Sequence, residues 1–364
     1  MTMTLDAPTS SLTPELKARI RAELAAGADI TELEQRYGLD RFVLWGCLSA
    51  GAPRGPRQPH FRRRPTPELD LNPDHIAIIR HVAKHRFLRT THLMRLLNHR
   101  PAKKLSENLT MLYRHSYLDR PIVQVERYVS GPRQPYVYAL GNRGAKLIAQ
   151  LDGATPPNVD WTDKNREAGR PFVKHTLLIA DVHIGLELAL RNRPDVKLIS
   201  REAILESAPE ATRKAVDAWK FRAKIPGPDG LLYEQAVAPD GVFGLDFTKL
   251  RKRIFLVLEA DRATMPIVRT NLKQTSMQKK FLTYLYADRA KYHHERYGIG
   301  NFRVLTVTTS LDRQASMLAS IASITNGTGS NLFLFTNAAS LAATTDFLSL
   351  DLITGKGEIT QLTA

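Results

Sequence analysis

Apolar residues recur along the chain at spacings that mark a series of short elements. A first helix starts at Thr13, which suits the cap, with Pro14 at the first helical position and Gly27 at the stop. Leu16, Ile20 and Leu24 then share a face. A second helix is expected from Ile30 to Tyr37, where Thr31 and Glu34 have capping-box spacing and Asp29 is a rival cap. Gly38 makes a turn, and a third helix from Asp40 to about Ala50 points Val43, Leu44, Cys47 and Leu48 inward. Short helices around a glycine turn give residues 1–50 a helix-turn-helix outline; a small helical protein-contact module has the same pattern.

Residues 71–151 carry a fuller pattern. Asn72 caps and Pro73 starts a helix with Ile76, Ile79 and Val82 on one side. A second helix opens at Thr90 or Thr91 and carries Leu93, Leu96 and Leu97. A third, from near Pro101, turns Leu105, Leu109 and Leu112 inward and offers Lys103, Lys104, Ser106, Asn108 and Arg114 on its other face. Strand-like runs at Ile122–Val129 and Pro135–Leu140 flank Ser130-Gly-Pro-Arg-Gln134, and a last helix covers about Asn142–Leu151. Three helices and a hairpin predict a winged helix-turn-helix. Its third helix would enter the major groove, with Lys103, Lys104 and Arg114 on phosphates, Asn108 able to pair with adenine, and Arg133 at the wing tip.

A polar linker is expected over 152–170. Residues 171–364 then read as one α/β domain with a mixed central sheet. It has a helix from Pro171 to Leu190, a strand at Val196–Ser200, an ambiguous stretch 202–234 and strands at Glu234–Phe247 and Lys252–Ala260. A long helix over Val268–Tyr297, a strand at Phe302–Thr308, a helix at Leu311–Ile324 and a strand at Leu332–Phe335 complete it. Ile254-Phe-Leu-Val-Leu258 is continuously apolar, as a strand covered on both faces would be.

Charge sharpens this outline. Among the 364 residues the formal net charge is +16, which points to polyanion partners. Residues 1–150 hold 24 Lys and Arg against 13 Asp and Glu, and residues 151–364 hold 28 against 23, so the surplus sits with the helical modules. In the 51–70 linker Arg54, Arg57, Arg62, Arg63 and Arg64 alternate with prolines. Such a segment stays extended and suits a phosphate tether or, at Arg54-Gly-Pro-Arg57, a minor-groove hook. Double-stranded DNA is the expected partner, with replication or transfer proteins as further ones; the oligomeric state is not legible. The single cysteine, Cys47, excludes an intramolecular disulfide and a cysteine-based zinc site. No signal-peptide pattern and no apolar run of membrane-spanning length occur, so a cytoplasmic location without membrane attachment is expected.

Candidate chemistry lies in the second half. Asp240 follows Pro239 within one predicted strand, and Glu259 and Asp261 stand where the apolar strand ends. Residues i and i+2 on a strand share a face, so Glu259 and Asp261 can converge and Asp240 can join them from the neighbouring strand. Three carboxylates at a sheet edge suit Mg²⁺ or Mn²⁺, which would polarise a phosphodiester, with Lys280 opposing phosphoryl charge; solvated acids at strand ends are the plainer alternative. His175 is within reach of this region, but reads more simply as a structural histidine. His293 and His294 are adjacent and point apart, and His183 has no partner at i±2. Gly327-Thr-Gly-Ser330 lacks a Walker ending, so no nucleotide cofactor is expected. Tyr284 and Tyr286 are candidates for covalent chemistry, though structural roles suit them better.

Pro239-Asp240-Gly241, Leu258-Glu-Ala-Asp-Arg262 and Lys280-Phe-Leu-Thr-Tyr284 together resemble the replication-relaxation family of plasmid and mobile-element proteins over roughly residues 72–340. That resemblance implies a winged helix joined to a domain similar to PD-(D/E)xK nucleases, and, as in the MobC-type relaxases, nicking at a transfer origin. Asp240 then matches the Pro-Asp acid and Glu259 the first acid of the second motif. Asp261 stands where the nuclease pattern has Lys; either Lys280 substitutes from the helix or the site is inactive. Two functions are therefore expected in competition. One is a metal-dependent nickase or relaxase. The other is a non-catalytic DNA-binding replication initiator or transcriptional regulator on a nuclease-like scaffold. A structural adaptor is a third, for which the sequence shows no apolar patch.

Overall fold

The computed structural model describes residues 12–25, 28, 30–39, 44, 68–98, 102–124, 135–227, 230–269 and 274–363. The chain divides into two compact units, residues 1–64 and 65–364. In the first, α1 (Pro14–Ala25) and α2 (Ile30–Tyr37) form as their patterns require, and Ile20, Leu33 and Leu44 make the core. Thr13 Oγ1 accepts from Leu16 N at 3.3 Å, as its capping role predicts. Apart from Leu44, the expected third helix lies outside the described residues, as do Cys47 and the linker arginines Arg54, Arg57, Arg62, Arg63 and Arg64.

The second unit opens with three helices: α3 (Pro73–His85), α4 (Thr90–Leu96) and α5 (Ala102–Arg114). Asn72 Oδ1 accepts from His75 N at 2.9 Å, so the predicted cap is present. Between and after them run β1 (Phe87–Arg89), β2 (Leu118–Asp119) and β3 (Val137–Leu140), an antiparallel sheet of order β1-β3-β2. Helix α6 (Asn142–Leu151) closes this part. The strand expected at 122–129 is not one where it is described. Ile122–Gln124 is a 3₁₀ turn, with Gln124 N donating to Pro121 O. The Gln124 amide takes the place of a strand partner, accepting from Val137 N at 2.8 Å and donating to Val137 O at 2.9 Å. Arg133 lies outside the described residues.

Segment 152–170 is built in, not slack. Within it α7 (Trp161–Glu167) carries Asn165, which is buried, donates to Leu140 O at 3.0 Å and accepts from Arg86 Nη1 at 2.6 Å. Next comes α8 (Arg170–Arg191), apolar on most of its circumference because it serves two cores. Ala180 and Ile184 complete the three-helix core, while Leu178, Val182, Leu186 and Ala189 pack under the main sheet.

The main sheet has seven strands, β12-β11-β10-β9-β8-β7-β4: β4 (Val196–Ile199), β7 (Gly241–Phe247), β8 (Lys252–Ala260), β9 (Arg303–Thr308), β10 (Phe333–Asn337), β11 (Leu352–Thr354) and β12 (Ile359–Thr360). Strand β9 pairs in parallel with β8 and β10; the other pairs are antiparallel. The ambiguous stretch resolves into α9 (Arg201–Ser207), α10 (Glu210–Arg213) and a separate ribbon, β5 (Phe221–Pro226) with β6 (Leu232–Val237). The single strand expected over 234–247 is thus two. Pro239, which cannot donate to a ladder, separates β6 from β7 and leaves Asp240 just ahead of β7, not within a strand. The long helix expected over 268–297 is also two. Ser276 caps α11 (Met277–Arg289), and Lys291, at φ 56°, turns the chain into α12 (Tyr292–Tyr297). Helices α11 and α13 (Leu311–Ile324) cover one face of the sheet; α8 and α14 (Ala338–Ala343) cover the other. Alternation along β8 follows: Val257 faces the first layer, Leu256 and Leu258 the second. This is an α+β chain with a mixed sheet.

Candidate functional site

The ends of β7 and β8 and the starts of α8 and α11 enclose a pocket of about 360 Å³. Asp240, Glu259, Asp261, Lys280, His175 and Arg262 all line it, with Phe172, Met265 and Met277 as apolar walls. Four of these were the expected site residues, so the sequence motifs meet in space.

Asp240 is fixed by the ladder it precedes. Its N–H donates to Leu258 O at 2.9 Å, and its Oδ2 accepts from Ala260 N at 2.7 Å where the β7–β8 pairing ends. Its other oxygen lies 3.0 Å from His175 Nε2, on the first turns of α8. That bond to Asp240 raises the His175 pKa, against the opposing effect of burial.

Glu259, on the β8 face turned to α11, is buried. Lys280 Nζ lies 2.5 Å from its Oε2, and the Tyr284 hydroxyl donates to its Oε1 at 2.6 Å. Lys280 and Tyr284 are one helical turn apart, so α11 delivers both donors together. Burial pushes the Glu259 carboxyl up in spite of Lys280. Burial alone would pull Lys280 down, but the Glu259 carboxylate leaves it raised and firmly protonated. Burial and Glu259 push the Tyr284 hydroxyl well up, so it is a donor and not a ready nucleophile.

Asp261 has other business. Its oxygens accept from Arg313 Nε at 2.9 Å and Nη2 at 3.0 Å, a bidentate pair, and from Thr308 Oγ1 at 2.9 Å and Ala263 N at 3.1 Å. Arg313 comes from α13 and carried no signal in the sequence, since nothing local links it to position 261. The expected convergence of three carboxylates is therefore not found: among the described residues, Asp240, Glu259 and Asp261 do not bring one oxygen each within 4.8 Å of the others. Each acid is instead matched with its own base, His175, Lys280 or Arg313.

The expected DNA-reading residues divide. Lys103 and Lys104 are exposed on α5 and Arg114 is half-buried. Asn108 is a correction: it is buried, because it follows the apolar face of Leu105, Leu109 and Leu112, and it cannot present its amide to a base.

A model of the family described as replication-relaxation matches residues 79–301. The chain belongs to the replication-relaxation family. The match runs from within α3 to the threshold of β9 and takes in Asp240, Glu259, Asp261 and Lys280, while Arg313 lies beyond it. No curated protein and no solved structure matches the chain. Membership ties this family member to replication or relaxation of plasmid or mobile-element DNA. Among the described residues, no helix is long and apolar enough to cross a membrane.

Proposed function

We propose that this replication-relaxation protein binds duplex DNA through a winged helix at residues 71–151 and nicks it in a PD-(D/E)xK-like domain at residues 171–364. The observation that carries the catalytic half is the common pocket of Asp240, Glu259 and Lys280, with the lysine supplied by α11 in place of the strand position held by Asp261. Mg²⁺ commonly uses one or two carboxylates, with water and substrate phosphate completing its shell, so Asp240 and Glu259 are a sufficient protein set without Asp261. Asp240 and Glu259 would hold Mg²⁺ or Mn²⁺, which would supply charge neutralisation at the scissile phosphate and an activated water. Lys280, beside Glu259 in the same pocket, would face the phosphoryl oxygens, and His175 keeps the Asp240 carboxylate oriented. Lys103, Lys104, Arg114 and Arg133 serve phosphate contacts, and the five linker arginines extend them. The net charge of +16, concentrated in residues 1–150, favours this placement.

One observation favours a second reading, a non-catalytic initiator or regulator: every acid of the pocket is already bonded to its own basic side chain. The experiment is a nicking assay on supercoiled DNA carrying the native origin, with Mn²⁺, comparing wild type with Asp240→Ala and Glu259→Gln, and DNA affinity measured in parallel. Nicking by wild type, lost in both variants at unchanged affinity, supports catalysis. DNA binding without nicking supports the scaffold. Equal nicking by all three proteins places the activity elsewhere.

A further inference from the structure

Away from the carboxylate pocket, α3 and α8 bring two histidines and a glutamate together. His81 and His85 are four residues apart and share a face of α3; Glu187 meets them from α8. One ligand atom from each lies within 4.8 Å of the others. His85 is the telling member. It is 8% exposed, and its Nε2 has no hydrogen-bond partner among the described residues, with Glu187 Oε2 standing 3.9 Å away. A buried polar atom without a partner is a standing cost to the fold, and a metal ion at that nitrogen would relieve it.

We propose that His81, His85 and Glu187 bind a borderline divalent cation, Zn²⁺ foremost, which fastens α3 to α8. Two imidazoles and one carboxylate suit Zn²⁺ and its transition-metal neighbours, whereas Mg²⁺ and Ca²⁺ prefer all-oxygen shells. Ligand atoms around tetrahedral zinc lie about 3.3 Å apart, so the present spacing closes with side-chain adjustments alone. Glu187 has competitors: Lys84 Nζ is 2.6 Å from Oε2 and Arg191 Nη2 is 3.1 Å from Oε1. The Lys84 side chain is 58% exposed and can swing into water, freeing Oε2, while Arg191 keeps its oxygen. His183, one turn before Glu187, is not a ligand. Its Nε2 would sit 3.4 Å from a Cβ placed on Gly241, and its ring packs on Phe243. Val82 follows His81, where zinc hydrolases with paired histidines carry a glutamate base, so the site has no general base and its role is structural. What it would join is specific: α3 belongs to the three-helix module with the exposed lysines, and α8 underlies the main sheet.

The site stands apart from the nicking pocket and is tested apart from it. The full-length chain, prepared without a histidine tag and stripped with chelator, is titrated with Zn²⁺ by calorimetry and with Co²⁺ by visible absorption. With millimolar Mg²⁺ present to occupy the carboxylate pocket, wild type should take one equivalent at micromolar Zn²⁺, gain melting temperature and show the Co²⁺ bands of a nitrogen–oxygen site. His81→Gln, partly exposed, and Glu187→Gln, isosteric, should each weaken binding by about tenfold or more, since even outer partners of metal ligands are worth that. Lys84→Gln, a surface change, should tighten it. Melting in chelator checks that each variant folds. Equal Zn²⁺ and Co²⁺ binding by wild type, His81→Gln and Glu187→Gln, or no binding by wild type, overturns the proposal.

Discussion

Lys280 Nζ and Glu259 Oε2 meet at 2.5 Å with both side chains largely removed from water, the glutamate at 2% and the lysine at 19% exposure. A pair this buried binds its members to each other's fate. Removing one leaves the other as an uncompensated charge, which costs far more than the pair contributes when intact.

Lys280→Met should therefore destabilise the protein by about 3–5 kcal/mol, the usual cost of breaking a buried pair from one side. Adding Glu259→Gln should recover most of that loss, because the carboxylate is then gone and Tyr284 still has an oxygen to bond. Urea unfolding at constant slope measures both. A single variant as stable as wild type would show that the pair is solvated, against its burial.

Asn108 sits at 1% exposure with its Oδ1 unpartnered among the described residues. Asn108→Leu should leave stability unchanged or raise it by up to about 1 kcal/mol, since an unmet acceptor is exchanged for apolar packing. DNA sequence preference should not move. A change of preference without a change of melting temperature would return Asn108 to the reading surface.

The sequence pattern served best where an element's identity is local. Strand β8 and helix α13 fall at their expected bounds, because five consecutive apolar residues, or a sustained 3.6-residue apolar period, decide the matter within a few positions. It served worst where the partner is distant. β1 has three residues and draws its identity from pairing with Val137–Ala139, fifty positions on. Asp240, Glu259 and Lys280 were legible as a pocket because ordered motifs carried them. Asp261 was misjudged because strand alternation fixes a face but does not reveal Arg313, which is 52 positions away. Likewise the α3 histidine pair has helical spacing, but Glu187 joins it only through tertiary contact.

His183, half-buried on α8 with its ring against Phe243, is held largely away from water, and that desolvation, reinforced by the nearby Lys84 ammonium, lowers its pKa to about 4. The unfolded chain takes up this proton near pH 6.5 and the folded chain does not. Stability from keeping the ring neutral is thus fully present above about pH 6.5 and is lost as pH falls toward 4, to a total of at most about 3 kcal/mol. His183→Gln should flatten the stability curve across that window, measured in chelator. Parallel wild-type and variant curves would show the ring to be solvated.

Asp261 can be separated from the metal question through stability. Its two oxygens accept four hydrogen bonds, two of them from Arg313, whose side chain is only 14% exposed. Asp261→Ala should leave that guanidinium buried without its counterion and cost about 3–5 kcal/mol. Arg313→Lys, which cannot keep the two-pronged contact, should lose less but measurably. A ligand that binds only the folded state stabilises it in proportion to the logarithm of its concentration over Kd. If Asp240 and Glu259 alone hold Mn²⁺, Asp261→Asn should therefore melt lower than wild type in chelator yet gain the same increment on adding Mn²⁺. Asp240→Ala should lose the increment. Were Asp261 a metal ligand after all, Asp261→Asn would lose the increment as well. The size of the Mn²⁺ shift in the two variants, compared at equal metal concentration, decides between an acid that holds the fold and an acid that holds the ion.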